Sequence, residues 1–420
     1  MGRSAVIADF LGFTALIFIA VYVLICAHRW PSAAKLLWVA FMSRAGAALF
    51  HFYVAPLPDS GADARSFERV AWEWAQGGFG EALGHFTGPH SYFISWIIAL
   101  FYAATDRSLL LAQSLSVFMG TGTVLLGWLL ACELWGGRVA MKAGWVLVFF
   151  PTLVLYSAIT MREAYIWFFL LLGLLGAVRW ARQGGLKSLL LAAFGFVGAT
   201  FFHGAMIVGL LVFVAAVFGQ SLRRLMSRLS VKRVPLTALA LLVVAAVPVV
   251  AFTSGAVSVP KLGDISRATD PQVLVAIAVS RTKSSADAPD GAAYPNWTVP
   301  NTPTELIYKL PVRVGYLLLS PFPWDVKKTS HLIGMFDAAL YLLLISIAWW
   351  HRKAILADPA ARLLVMLTFA YILVFSVGTG NFGTAMRHRA KFVAILIVLT
   401  TPFLPCLKIK RPVRAVKAAS

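Results

Sequence analysis

Pro58-Asp59-Ser60-Gly61-Ala62-Asp63-Ala64-Arg65-Ser66-Phe67-Glu68-Arg69 begins just after an apolar run, 36–54, that ends at Val54. These twelve residues hold three carboxylates and two arginines, in a chain where only 13% of residues are charged. Acids at the mouth of an apolar run of bilayer-crossing length decide how the rest of the chain is read, because ionisable groups at that depth are costly and usually functional.

Outward from this stretch the chain is 60% hydrophobic over 420 residues, with a mean hydropathy of +0.80. Soluble domains run at about 45–50% apolar. Further apolar runs lie near 10–26, 108–131, 139–157, 164–179, 188–202, 204–219, 236–253, 333–350, 363–378 and 392–406, lengths that suit the roughly 20 residues of a membrane helix. The fold class is therefore an all-α polytopic membrane protein, with about eleven transmembrane helices expected.

The net charge of +20 would suggest nucleic acid if it were gathered on one soluble face, but it follows the connectors. Arg29 and Lys35, Arg138 and Lys142, Arg179, Arg182 and Lys187 lie in alternate connectors. So do Arg223, Arg224, Arg228, Lys232 and Arg233, then Arg352, Lys353 and Arg362, and the tail carries Lys408, Lys410, Arg411, Arg414 and Lys417. These twenty cations stand against two acids, Glu133 and Asp358, while the other segments hold the remaining 15 of the 17 acids. That is a positive-inside bias. It puts the N-terminus outside, the C-terminus and the basic connectors in the cytoplasm, and it argues for the bilayer and against nucleic acid as partner. Cys26, Cys132 and Cys406 lie in or near apolar runs without disulfide or metal spacing.

Two large outer loops result. In the first, 55–107, the acidic stretch precedes Tyr92-Phe93-Ile94-Ser95-Trp96, the start of an apolar segment, 92–104, of 13 residues. It is short for a span, and counting it as one would invert every later connector, so a helix lying on the outer face is expected. In the second loop, 254–332, Ser280 to Pro303 reads as a mobile stretch rich in Ser, Ala, Asp and Pro. Residues 310–324 then read as a second interfacial helix, closed by Pro321 and Pro323.

Four outer features are candidates for chemistry. Asp59 and Asp63 are one turn apart if helical and then face one site; alternatively Asp59 caps a helix. Glu163 opens the run that follows Ser157-Ala158-Ile159-Thr160-Met161-Arg162, at membrane level; Arg162 is either part of a site or a partner for a loop-one acid. His203, between two runs, is either a proton carrier or a hydrogen-bonded core histidine. Arg387-His388-Arg389 and Lys391 run against the charge bias on the outer side. Arg suits bidentate phosphate contacts and Lys a point charge, so a lipid phosphate headgroup fits there, with pairing to loop-one acids as the alternative. Arg44, inside the second run, needs a polar partner of its own.

The order of these features resembles the GT-C membrane glycosyltransferases and the related Wzy-like polysaccharide polymerases. Asp59 and Asp63, the 92–104 segment, and Arg162-Glu163 after Phe150-Pro151 occupy corresponding places. An extra N-terminal span and His203, where many relatives carry Arg, depart from the pattern. Read so, 1–35 is the extra span, 36–220 the GT-C-like module with loop 55–107, and 221–420 a C-terminal module with periplasmic loop 254–332. The resemblance implies transfer of a sugar or oligosaccharide from a polyprenyl-(di)phosphate donor to a glycan or lipid-linked acceptor. The reaction would occur on the periplasmic face of a bacterial inner membrane, during polysaccharide biosynthesis. Asp63 or Asp59 would be the base and Glu163 would orient the acceptor. Arg162, His203, Arg387, His388, Arg389 and Lys391 would bind substrate or phosphate. The cofactor is none or a divalent cation, with Asp63 and Glu163 as its ligands. A transporter or flippase for lipid-linked sugars, or a non-catalytic subunit of an export complex, is the alternative; the gathering of charges at one face leans towards an enzyme.

Overall fold

A proline decides the least regular of the spans. The run 139–157 is two helices, Gly137–Phe149 and Pro151–Ala158, bent by 55°. Pro151 has no N–H to give to the Leu147 carbonyl one turn back. Arg44, fully buried, fills the gap: Nη2 donates to the Leu147 carbonyl (3.1 Å) and Nη1 to that of Val148 (3.4 Å). The buried arginine thus finds its polar partners in the backbone that the proline leaves unsatisfied.

The computed structural model describes residues 3–228, 258–259, 263–264, 271–286, 292–326 and 329–405. Among these, seven helices are long and apolar enough to cross a membrane, or eight with the bent pair counted as one span. They are Asp9–Arg29, Pro31–Tyr53, Leu109–Trp135, Glu163–Gln183, Gly204–Arg223, His331–Trp350 and Pro359–Val377. The protein is a multi-pass helical membrane protein. Of the other expected spans, 188–202 lies in a 17-residue helix, Leu186–Phe202. The run 392–406 is entered through Phe382–Thr400, which carries the basic cluster in its first half, and 236–253 lies outside the described residues, as do Cys406 and the basic tail. The pairing of Ser258–Val259 with Gly263–Asp264 is the one strand pair described.

Local chemistry sets the helix ends. Ser108, Asp358 and Asn381 each accept from backbone N–H groups at the start of a helix (Leu111 at 3.2 Å, Ala360 at 2.7 Å, Thr384 at 2.7 Å). Gly184 and Gly185, at φ 71° and 90°, reverse the chain between Glu163–Gln183 and Leu186–Phe202. These two helices then touch backbone to backbone. A Cβ at Gly195 would lie 2.1 Å from the Gly173 nitrogen, and one at Gly176 2.4 Å from that of Ala192, the small-residue contact that lets membrane helices approach closely.

The two ends of the bundle differ in character. At one end Arg179 pairs with Glu133 (2.7 Å) and Arg182 with Asp358 (2.8 Å), tying three basic connectors together. Glu163 starts the helix that carries both arginines, so it stands roughly 28 Å away at the other end, at 1.5 Å per residue. Loop one packs on that far end. Its helices Asp63–Ala75 and Phe93–Ala104 are joined by Ser95 Oγ donating to the Phe67 carbonyl (2.8 Å). Arg107 grips Glu68 with two hydrogen bonds, 2.9 and 2.8 Å.

In loop two the stretch Ser280 to Pro303 departs from the expected mobility. Residues 280–286 complete the helix Pro271–Ala286, and Tyr294 and Thr298 are buried. Residues 287–291 lie outside the described set. The expected second helix runs over Pro303–Leu319. It is held by Arg313, which donates to the carbonyls of Ser376, Val377, Thr379 and Thr298 at 2.6–3.3 Å.

Candidate functional site

The turn before Asp63–Ala75 makes the centre of the site. Asp59, at φ 64°, takes a left-handed conformation that Asp tolerates better than most residues. It does not cap the helix. Its carboxylate accepts from Arg387 Nε and Nη2 (3.0 Å each) and from the Tyr156 hydroxyl (2.8 Å). Arg387 Nη1 reaches Asp63, the first residue of the helix. The two aspartates therefore share one guanidinium through a turn, where the sequence suggested a shared helix face. Burial opposes the Asp59 charge, but the Arg387 and Tyr156 contacts outweigh it and hold its pKa below the usual carboxylate range.

Beside this triad Glu163 and Lys391, each 1% exposed, face one another with Nζ 3.4 Å from Oε1. Lys391 Nζ also donates to the Arg387 carbonyl (3.2 Å). Glu163 Oε2 is buried without a hydrogen-bond partner. Arg162 has no carboxylate partner among the described residues; its guanidinium sits 5.7 Å above the Phe67 ring. His388 Nδ1 lies 2.7 Å from Thr379 Oγ1, whose own hydrogen goes to the Phe375 carbonyl (2.6 Å). The imidazole must then be the donor at Nδ1, which leaves Nε2 as its acceptor nitrogen when neutral. The His203 ring stands edge-on, 5.5 Å away.

These groups line one cavity of about 730 Å³ at the end of the bundle away from the paired basic connectors. Asp63, Arg162, Glu163, His203, Arg387, His388 and Lys391 are all on its wall, with Asp59 behind Arg387. Val208, Leu211, Leu274, Ile277, Leu310 and Leu373 add apolar surface to the same lining.

Arg389 is the exception among the residues expected to bind phosphate. It is fully buried and outside the cavity wall, paired with Asp337 (2.8 Å), and donates to the carbonyls of Leu318, Ser320 and Gly334. Asp337 also accepts from Thr152. The physical reason is helical spacing. Arg387 and Lys391 are four residues apart and share a face, while Arg389, two residues on, points about 200° round the helix. Arg281, Asn381 and Thr384 also line the cavity but were not expected to. The first lay in a stretch read as mobile; the other two are common polar residues with no pattern to mark them.

No cluster of three or more His, Cys, Asp or Glu capable of holding a metal occurs among the described residues. Asp63 and Glu163, the two carboxylates on the cavity wall, are paired with Arg387 and Lys391.

Fold and site together define a multi-pass helical membrane protein whose carboxylates and cations converge on an amphipathic cavity at one end of the bundle. No protein-family model, curated protein or solved structure matches the chain.

Proposed function

We propose that the protein is a membrane glycosyltransferase that moves a sugar or oligosaccharide from a polyprenyl-(di)phosphate donor to a glycan or lipid-linked acceptor. In this reading it works in cell-surface polysaccharide assembly, with its site facing the periplasm of a bacterial inner membrane. The observation that carries the reading is the cavity itself. Its lining combines apolar side chains suited to an isoprenoid stem with a half-exposed carboxylate, Asp63, paired with Arg387, and with the cations Lys391 and Arg162.

Glycosyl transfer needs those two functions side by side. Asp63 takes the proton of the acceptor hydroxyl as its oxygen bonds to the anomeric carbon. The bond from that carbon to the phosphate oxygen breaks, the electron pair leaves with the phosphate, and the cations meet its charge. Asp59 holds Arg387 by two contacts and Asp63 by one. The Asp63 contact is thus the one exchanged when substrate enters, freeing the base while the guanidinium stays anchored. Glu163 Oε2, buried and unpartnered, is the acceptor for a substrate hydroxyl, whose loss leaves a buried group unsatisfied.

The test is incorporation of a labelled lipid-linked sugar by the purified protein in detergent. Asp63→Asn should lower kcat by about 10²–10⁴-fold, the typical worth of a positioned general base. Folded Asp63→Asn and Glu163→Gln variants with wild-type turnover would refute the assignment.

A further inference from the structure

The helix that follows the proline break, Pro151–Ala158, carries two hydroxyls, Thr152 and Tyr156, one turn apart and so on one face. Each donates to an aspartate from a distant part of the chain, and each aspartate holds an arginine of Phe382–Thr400. Thr152 reaches Asp337, which holds Arg389 at 2.8 Å. Tyr156 reaches Asp59 at 2.8 Å, and Asp59 holds Arg387 by two contacts of 3.0 Å. The two relays are alike in chemistry and differ in where they end. Arg389 is fully buried away from the cavity wall, whereas Arg387 is part of that wall.

The Tyr156 hydroxyl is a fixed point. Its side chain is fully buried, with the ring 6.4 Å from that of Trp167. Trp167 Nε1 in turn donates to the Ala390 carbonyl (2.6 Å), within the helix that carries Arg387 and Lys391. Asp59 stands in a turn, and its carboxylate is oriented by what it accepts. Oδ2 accepts from both Tyr156 and Arg387 Nε, and Oδ1 from Arg387 Nη2. The hydroxyl thus fixes the plane of the carboxylate, and the paired contact fixes the plane of the guanidinium. Asp59 occupies Nε and one hydrogen of Nη2, and Asp63 one hydrogen of Nη1. That leaves a hydrogen on each Nη for a further acceptor.

We propose that Tyr156 is a positioning residue for the donor phosphate: through Asp59 it holds the Nη1–Nη2 edge of Arg387 ready to take two oxygens of one phosphate. The inference rests on the lipid-phosphate reading of the cavity and adds to it a residue that is not on the cavity wall. A bidentate contact needs both N–H groups aligned with both oxygens. A guanidinium free to swing keeps its charge and loses that alignment. Thr152 is the matched control, because it makes the same kind of contact on behalf of the arginine that does not line the cavity.

The experiment measures binding of farnesyl monophosphate to purified full-length protein in detergent, with SDS titration as the check on folding. Tyr156→Phe, which removes only the hydroxyl, should weaken binding about tenfold, the worth of one hydrogen bond to a charged group. Placing 4-aminophenylalanine at the same position returns an N–H donor at the end of the ring and should recover most of that loss. Thr152→Val should lower stability and leave affinity unchanged. In an Arg387→Gln background Tyr156→Phe should cost no further affinity, because residues acting through one another are not additive. A purely structural role for Tyr156 would move stability alone, or weaken binding in both backgrounds. Several results would each overturn the inference and leave the lipid-phosphate reading standing. These are unchanged affinity in folded Tyr156→Phe, no recovery with 4-aminophenylalanine, an equal loss in Thr152→Val, or a further loss in the Arg387→Gln background. Failure of the wild type to bind farnesyl monophosphate would overturn that reading and the inference with it.

Discussion

Replacing Lys391 by Met tests whether the Glu163–Lys391 pair holds the site or only works in it. Both side chains are 1% exposed and 3.4 Å apart, and one carboxylate oxygen of Glu163 already lacks a partner. Removing the ammonium leaves a buried carboxylate with neither oxygen satisfied by a cation. Breaking one half of a buried pair costs about 3–5 kcal/mol. Removing both charges together avoids most of that cost, because a buried pair and a well-packed neutral replacement of similar volume are often nearly equal in stability. The double variant Glu163→Gln/Lys391→Met should thus lie within about 1 kcal/mol of wild type, about 2–4 kcal/mol more stable than Lys391→Met alone. Unfolding in mixed micelles titrated with SDS reads these differences. Transfer activity should follow a different pattern and stay low in the stable double variant. A Lys391→Met protein as stable as wild type would refute the buried pair, and a double variant with full transfer activity would refute its part in the chemistry.

Three further expectations follow from the same geometry. Arg44→Met should destabilise by about 2–5 kcal/mol, from lost packing and two orphaned carbonyls. Adding Pro151→Ala, which restores an N–H for Leu147, should recover part of that loss; no recovery in SDS titration would show that Arg44 does not serve the proline break. Asp337→Asn should lower the yield and stability of folded protein with little effect on donor KM, since it strands Arg389 in the core. Arg387→Gln should instead raise donor KM, and a KM effect from Asp337→Asn of equal size would return Arg389 to the site. The pH dependence follows Asp59, whose folded pKa lies below its unfolded value of roughly 3.9. Its stabilisation is complete above that value and is lost as pH falls through the folded pKa. The stability gap between wild type and Asp59→Asn should accordingly be widest near neutral pH and close below about pH 4; a gap constant down to pH 2.5 would contradict it.

The candidate site was legible where charge stood out against an apolar chain. Asp63, Arg162, Glu163, His203, Arg387, His388 and Lys391 converge on one cavity. Charges at the mouths of membrane helices are costly, so few of them survive without a shared purpose. Arg389 misled because charge alone marks a residue without saying which way it points, although the four-residue spacing of Arg387 and Lys391 already separated it from them. Arg281 was hidden by composition: a Ser- and Ala-rich stretch reads as mobile, and only contact with Gly380 shows that its first part is packed helix.

By itself, the sequence determined the class of protein. Apolar length sets how many residues can sit in a bilayer, a local sum that needs no partner. The tertiary structure alone decided which charges meet. Asp59 and Arg387 are 328 residues apart, and Glu163 and Lys391 228. Whether a carboxylate at a helix mouth is a solvated cap, half of a buried pair or a base beside a cavity depends on what the rest of the chain brings within 3 Å of it. For Asp59 and Asp63 that was one guanidinium, and the sharing of it separates the anchored acid from the exchangeable one.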